Sequence, residues 1–151
     1  MNREQTVQNK MELRFPSYSR NEAFSRAAVS AFAASLDPTL EELADIKTVV
    51  SEAVTNSIVH GYPNSVGEIL VSCVIYEGGL LQITVTDQGV GIPDIAAART
   101  PMFSTGGSDR SGMGFTIMER FMSSLTVESQ PGQGTKVIME RRIRGGEEGD
   151  L

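Results

Sequence analysis

Residues 51–62 read "SEAVTNSIVHGY" and close a predicted helix that carries polar side chains at four-residue intervals. Glu52, Asn56 and His60 follow one another by about one helical turn each, so they project from the same side of the helix. Such a row is either a solvated helix face or part of a functional site. The rest of the sequence has to distinguish these two interpretations.

Two helices are predicted around this row. The pattern Ser-x-x-Glu at residues 19–22 is a capping-box signature and predicts a helix over residues 20–36. Thr-x-x-Glu at residues 39–42 repeats the signature and predicts a second helix that runs to about His60, where Gly61 ends it. The apolar stripe of the second helix consists of Leu40, Leu43, Ile46, Val50, Ala53 and Val54.

A β-hairpin is predicted after these helices, with strands over residues 68–76 and 80–87 joined at residues 77–79. The apolar face of the second strand consists of Leu81, Ile83 and Val85. Asp87 falls on that same face by parity, because successive side chains of a strand point to opposite sides. The sequence therefore predicts a carboxylate that points inward at the end of a strand.

The remaining elements complete one layered domain. A short strand is predicted over residues 11–16, a long Gly-, Pro- and Ser-rich loop over 88–112 and a helix over 113–124, followed by strands at 125–130 and 134–143. This order predicts a two-layer α/β sandwich, with one mixed, mostly antiparallel sheet and helices on one face.

Composition excludes several classes of function. With 151 residues the chain is expected to form one domain over residues 11–143, between a polar extension at 1–10 and a disordered tail at 144–151. A net charge of -6 without a basic run argues against direct nucleic-acid binding. Cys73 is the one cysteine, so it has no internal disulfide partner and is expected to be buried. No apolar run approaches the roughly 20 residues that span a bilayer, so a cytoplasmic protein without membrane contact is expected.

Three polar groups suit the phosphate end of a nucleotide site. The amide oxygen of Asn56 is a hard ligand, of the kind that Mg²⁺ accepts together with water and phosphate. Glu52, one turn away, could take a proton from an attacking hydroxyl. The glycines of "SGMGF" at residues 111–115 lie where the third helix is predicted to begin, and backbone N–H groups at a helix start bind anions.

A base could bind at the other end of the same site. Inward-facing Asp87 could accept a hydrogen bond from a base amine, and Gly89 and Gly91 leave room beside it. The Gly-Val-Gly at 89–91 is not a dinucleotide fingerprint, because Ile-Pro follows it instead of a helix, and no P-loop motif occurs in the chain. Phosphate at one end, base at the other and metal between them describe a nucleotide site. His60 is expected only to favour the end of its helix.

These motifs resemble a known superfamily when they are taken together. "E-x-x-x-N-x-x-x-H-G", "D-x-G-x-G-I", "G-M-G-F" and "G-T" follow in the order of the nucleotide-binding boxes of the GHKL ATPases and span residues 52–135. "LDPTLEELADIKTVVSEAVTNSIVHGY" and "RSGMGFTIMERFM" look like the anti-sigma-F family of sporulation serine protein kinases. The resemblance is nearly continuous over residues 11–143.

The resemblance implies ATP or ADP with Mg²⁺ as cofactors, held between the helical layer and a mobile lid. It implies that Asn56 ligates Mg²⁺, that Glu52 is the general base toward a substrate serine, and that Asp87 binds the adenine amine. The other nucleotide-binding positions that it implies are Gly89, Gly91 and Ile92 beside the base, Thr105, Ser111, Gly112, Met113, Gly114 and Phe115 in the lid and phosphate cradle, and Thr135 at the adenine end.

The resemblance also implies protein partners. The family holds a sigma factor of the sigma-F type inactive, phosphorylates a serine of a STAS-class anti-anti-sigma factor, and works as a homodimer paired through its sheets. Arg110 is expected to neutralise charge on the transferred phosphoryl group, or else to be an exposed lid residue. Arg26 matches a partner-binding position on the first helix, and its alternative is a solvated helix residue.

One departure from the family keeps other functions open. The family's lid usually carries a Thr-Lys-Pro type segment, whereas this chain has "STGGSDR" at residues 104–110. The altered lid supports a nucleotide-gated, sigma-binding module without kinase activity as one alternative. A general-stress-type anti-sigma kinase with a different client is another. Retention of both Glu52 and Asn56 favours the kinase, because binding alone requires no base.

Overall fold

The protein forms five strands and four helices in the computed structural model, which describes residues 5–100 and 110–145. In chain order the elements are β1 (Val7–Pro16), α1 (Arg20–Ala33), a 3₁₀ turn (Ala34–Leu36), α2 (Leu40–Asn56), a π-helical turn (Ser57–Gly61), β2 (Glu68–Tyr76), β3 (Leu80–Asp87), α3 (Ile95–Arg99), α4 (Arg110–Phe121), β4 (Ser124–Ser129) and β5 (Thr135–Arg142).

The strands form one sheet in the order β1-β2-β3-β5-β4. All four strand pairs that the structure describes are antiparallel. The sheet is therefore antiparallel throughout and not mixed, because the hairpins β2-β3 and β4-β5 meet with β3 and β5 running in opposite directions. The register places Asp87 opposite Thr135 of β5 and Ile69 of β2. The predicted α/β sandwich is otherwise confirmed.

The core lies between one face of the sheet and the helices. Along β3 the alternation predicted from sequence is observed: Leu81, Ile83 and Val85 are buried, whereas the side chains between them are half-buried. The α2 stripe packs into the same core through Ile46, Val50, Ala53 and Val54. Because Asp87 continues the buried parity of β3, the fold carries this carboxylate under the helical layer, where its side chain is 3% exposed.

One of the two predicted capping boxes is present. The Thr39 hydroxyl accepts from the Glu42 N–H at 3.0 Å, and the Glu42 carboxylate accepts from the Thr39 N–H at 3.0 Å. The prediction at Ser19 is wrong: Ser19 itself has helical backbone angles, and its side chain forms no cap hydrogen bond within the described chain. A cap residue normally has extended angles, which aim its oxygen at the helix start.

Other boundaries also differ from the prediction. β1 begins at Val7, so residues 7–10, expected to belong to a frayed extension, are part of the sheet. The loop after β3 contains the unpredicted helix α3, which Asp94 caps by accepting from the Ala97 N–H. The next helix begins at Arg110 instead of residue 113. Across residues 5–100 and 110–145, no helix has the length and apolar character needed to cross a bilayer.

The end of the described chain is tied to the start of α2. The Glu42 carboxylate accepts from the N–H groups of Arg144 and Gly145, both at 2.8 Å. A side chain on Gly145 would collide with the Asp37 carbonyl, so glycine permits this close approach. The first two residues of the predicted disordered tail are therefore held in place, and the rest of that tail lies outside the described residues.

Candidate functional site

A cavity of about 310 Å³ opens between the sheet and the helical layer. Its floor includes Asp87 of β3 and Thr135 of β5, and Phe115 of α4 lies on its wall. Asn56 and Ser57 line it from the end of α2. The cavity therefore brings together residues of the four motifs that the sequence spreads over positions 52–135.

Asp87 is the buried acid of this cavity. Its Oδ1 accepts from the Gly89 N–H at 2.9 Å, and its Oδ2 accepts from the Ser57 hydroxyl at 2.8 Å. Burial raises the pKa of Asp87, although hydrogen bonds from Gly89, Ser57 and the Thr135 backbone oppose the rise. Gly61 makes room for the carboxylate, since a Cβ there would lie 2.9 Å from Oδ2. The prediction that this side chain points inward is confirmed.

The loop after Asp87 is held by backbone contacts that only glycine allows. A Cβ at Gly89 would overlap the Gly61 carbonyl, which accepts from the Val90 N–H at 2.9 Å. Gly91 has a φ of +80° and packs against the Gln130 carbonyl. The two glycines therefore fix the path of the loop along the cavity, in addition to leaving space there.

Ser129 connects Ile92 to Thr135, two positions that the sequence placed at the base end. The Ile92 N–H donates to the Ser129 hydroxyl at 2.8 Å, and the Ser129 and Thr135 hydroxyls lie 2.9 Å apart. The Ser129 hydroxyl also lies 2.8 Å from the Gly134 carbonyl, as donor. Because the Ser129 hydroxyl donates its proton to the Gly134 carbonyl, the Thr135 hydroxyl must donate to Ser129. The lone pairs of the Thr135 hydroxyl oxygen then remain as acceptors.

Glu52 and Asn56 both face Gly114 of α4, and Asn56 also lines the cavity. A Cβ at Gly114 would lie 3.2 Å from both the Glu52 Oε1 and the Asn56 Nδ2, so α4 approaches these side chains as closely as glycine allows. Within the described chain, the buried Asn56 Nδ2 has no hydrogen-bond partner. A buried polar atom without a partner is costly and needs a physical explanation, of which a bound ion, water or ligand is one.

Glu52 also faces a second cleft, which lies between α1 and α2 and is lined by Arg26, Lys47, Thr48 and Ser51 as well. Arg26 lies 3.7 Å from the Glu22 carboxylate, one turn earlier on α1. Glu52 is half-buried, so part of its side chain stays accessible from this cleft.

Several predicted site residues lie beyond what the structure describes. Thr105 is outside the described residues. Residues 110–113 form the first turn of α4 through their backbone, and the side chains of Arg110, Ser111 and Met113 are not described. Gly114 and Phe115 are buried in the same helix, and Phe115 lines the cavity. The structure starts the helix at Arg110, and the anion site at this helix start stays a prediction.

Comparison with known proteins places this geometry in a family. A sequence profile described as "Histidine kinase-like ATPase domain" matches residues 15–141. The anti-sigma F factor of Geobacillus kaustophilus is 54% identical over 138 residues, which cover 91% of this chain and 94% of that protein. The anti-sigma F factor of Thermoanaerobacter sp. (strain X514) is 55% identical over 136 residues, which cover 89% and 94%. The chain belongs to the anti-sigma F factor family.

Solved structures support the same fold. The RsbU and RsbW domains of a Mycobacterium tuberculosis protein match with a TM-score of 0.65 at 19% identity, over 90% of this chain and 32% of that one. The kinase domain of a blue-light activated histidine kinase from Erythrobacter litoralis matches with a TM-score of 0.54 at 20% identity. The match covers 81% of this chain and 60% of that one. The chain spans only a third to about three fifths of these two structures, and the likeness concerns the fold.

Family membership implies nucleotide binding. The sequence analysis missed Ser57 and His60, which line the cavity, and Ser129, which contacts the cavity residues Ile92 and Thr135. Ser57 and Ser129 carry no motif signal of their own, because serine is common and their partners are distant in sequence. His60 was expected only to end its helix, yet it lies in the π-helical turn and lines the cavity. Its four-residue spacing from Asn56 was the available signal.

Proposed function

We propose that this protein is an anti-sigma factor with ATP-dependent serine kinase activity. It binds a sigma factor of the sigma-F type and holds it inactive in the cytoplasm of a sporulating cell. It also phosphorylates a serine of a STAS-class anti-anti-sigma factor. The observation that carries the kinase activity is the pairing of Glu52 and Asn56 against Gly114, with Asn56 lining the same cavity as Asp87.

ATP or ADP occupies the cavity with its base toward Asp87. The buried carboxylate accepts from the adenine amine, and the path of Gly89, Gly91 and Ile92 borders the base. Thr135 lies beside the same end. The triphosphate then extends toward the first turn of α4, where residues 111–113 offer backbone N–H groups without an intrahelical acceptor. Gly114 and Phe115 continue the proposed cradle, and Thr105 belongs to the lid.

The donor set at the phosphate end fits Mg²⁺. An amide oxygen beside a half-buried carboxylate is suited to a hard cation that is otherwise held by phosphate and water. Within the described chain, the donor nitrogen Nδ2 of this buried amide has no hydrogen-bond partner. Asn56 would hold the metal, which when bound neutralises charge on the phosphate oxygens.

Glu52 acts as the general base of the transfer. It accepts the proton of the substrate serine hydroxyl, whose oxygen forms a bond to the γ-phosphorus. The bond from that phosphorus to the β–γ bridging oxygen breaks, and ADP leaves with the electron pair. Arg110 is assigned to neutralise charge on the transferred group. The open cleft beside Glu52 lets a protein serine reach the carboxylate without passing through the nucleotide cavity.

The partners bind outside the nucleotide cavity. Arg26 lies on the cleft that Glu52 shares, so a protein bound at α1 is within reach of the reacting groups. Two copies pair through the open face of the sheet, where Leu70, Val74 and Ile138 are only partly buried in a single chain. An apolar centre with a charged rim is typical of such an interface.

Transfer of label from γ-labelled ATP with Mg²⁺ to a STAS-class anti-anti-sigma protein tests the kinase. Wild type and Glu41→Gln should label it, whereas Glu52→Gln should bind ATP without labelling. Glu41 is a matched control because it lies on the same helix and is exposed. Equal labelling by the Glu52→Gln variant would refute the assignment of the base. Absence of labelling by wild type that still binds ATP would favour the binding module without catalysis.

A further inference from the structure

Ser57 has no role in the proposed mechanism, yet it forms a buried side-chain hydrogen bond in the cavity. It follows Asn56 directly and begins the π-helical turn, and its side chain is 5% exposed. Its hydroxyl donates to the Asp87 Oδ2 at 2.8 Å, across 30 positions of sequence. Ser57 therefore connects the end of α2, next to the proposed metal ligand Asn56, to the buried acid Asp87.

The surroundings of Asp87 allow it only one kind of further partner. The Gly89 N–H donates to Oδ1, the Ser57 hydroxyl donates to Oδ2, and the Thr135 backbone also donates. These donors come from three separate elements, the π-helical turn, the loop after β3 and β5. An ionised carboxylate accepts and does not donate, so a group that approaches it from the cavity must bring its own hydrogen.

We infer that Ser57 is a specificity-determining residue for the nucleotide base. By donating to Oδ2, it keeps Asp87 an acceptor and makes the cavity select a purine with an amine at the position facing Asp87, as adenine has. A purine with a carbonyl there, as in guanine, presents a second acceptor and is rejected. The inference rests on the proposed binding of ATP in this cavity.

Removal of the hydroxyl alters the chemistry of Asp87. Burial alone favours the protonated acid, and the Ser57 hydrogen bond is one of three contacts that oppose it. A protonated carboxyl group gains an O–H donor, which can bond to a guanine carbonyl. The titratable groups nearby are Tyr62, whose pKa burial raises with a contribution from the Asp87 charge, and His60, which lines the same cavity.

The test compares the dissociation constants of ATP and GTP, each with Mg²⁺, for wild type and three variants. Ser57→Ala should weaken ATP binding by about tenfold or more and lower the preference for ATP over GTP by a similar factor, because a hydrogen bond to a charged group has roughly this effect. Ser57→Cys, with a weaker donor of similar size, should be intermediate. Ser65→Ala should match wild type, since Ser65 is exposed in the segment before β2 and does not line the cavity.

The outcomes separate the inference from the function on which it rests. If wild type binds neither nucleotide, the proposed function fails and the inference with it. If wild type binds ATP but Ser57→Ala weakens ATP and GTP equally, Ser57 is only structural and the inference alone is overturned. Thermal unfolding establishes that each variant folds. If Ser57→Ala does not fold, Ser57→Cys serves as the test instead. A preference for ATP over GTP that is unchanged in Ser57→Cys then overturns the inference.

Discussion

The buried carboxylate of Glu42 offers a direct measurement of what closes the fold. Its side chain is 7% exposed and accepts from the N–H groups of Thr39, Arg144 and Gly145 at 3.0, 2.8 and 2.8 Å. Glu42→Ala leaves these three donors without their partner. An unsatisfied buried donor costs about 1–3 kcal/mol, and water can reach the two outer ones, so we expect a loss of about 2–5 kcal/mol of unfolding free energy.

Urea and thermal unfolding followed by circular dichroism measure this loss, since the chain has no tryptophan for fluorescence. In a domain of this size each kcal/mol lowers the melting temperature by about 2–4 °C, so a fall of roughly 5–15 °C is expected. Glu41→Ala is the matched control, because Glu41 is exposed in the same first turn of α2 and should change the midpoint little. A melting temperature of Glu42→Ala within about 1 °C of the control would refute the reasoning, because even one lost hydrogen bond should shift it by more than that.

The same side chain gives the loss a pH signature. Burial by itself raises the pKa of Glu42, but hydrogen bonds from Thr39, Arg144 and Gly145, with the charge of Arg141, lower it below its usual 4.5. The folded state therefore holds the proton less tightly than the unfolded state does. The stabilisation is present above pH 4.5 and is lost as the pH falls through the folded pKa. The difference between wild type and Glu42→Gln should shrink over that interval.

Three further predictions follow from other contacts. Gly114→Ala should reduce phosphoryl transfer at least tenfold, because the added Cβ crowds Asn56 and Glu52. The free energy of unfolding should stay equal or rise by up to about 1 kcal/mol, because alanine favours a helix more than glycine does. Kinase assays and urea unfolding on one preparation measure the two effects. Tyr62→Phe should lower the urea midpoint, since the hydroxyl accepts from the Gln88 N–H and donates to the Glu68 carbonyl, both at 2.7 Å. Cys73, whose pKa burial raises to about 12, should react with iodoacetamide only after unfolding, as mass spectrometry would show.

The features that could be predicted from sequence are the ones that local periodicity determines. Strand parity alone is enough to turn Asp87 inward, and the capping box at residues 39–42 is a contact between neighbours in sequence. The same motif at residues 19–22 fails because the spacing does not specify the backbone angles of Ser19. Helix α3 carried a usable signal, since Asp94 precedes an alanine-rich run, but the surrounding glycines and prolines outweighed it.

The contacts that could not be predicted join residues far apart in the chain. Gly145 reaches Glu42 across 103 positions, and Ser57 reaches Asp87 across 30. No periodicity relates such pairs, because they depend on how β3 and β5 lie beneath α2. The positions of Glu52 and Asn56 on one helix face were predictable, whereas their closeness to Gly114 depends on the packing of α4 against α2.

The two buried acids in the described part of the chain differ in how burial is balanced by hydrogen bonds. Glu42 has a lowered pKa because its donors more than offset burial, whereas burial prevails at Asp87 and raises the pKa above its usual 3.8. The contribution of Asp87 to stability is therefore present below pH 3.8 and is lost as the pH rises through its folded pKa, so ionised Asp87 destabilises the nucleotide-free protein at neutral pH. A further hydrogen-bond donor to Asp87 would act against burial and lower that pKa. If ATP binds as proposed, its adenine amine is such a donor, and occupancy of the cavity should then raise the stability of the fold.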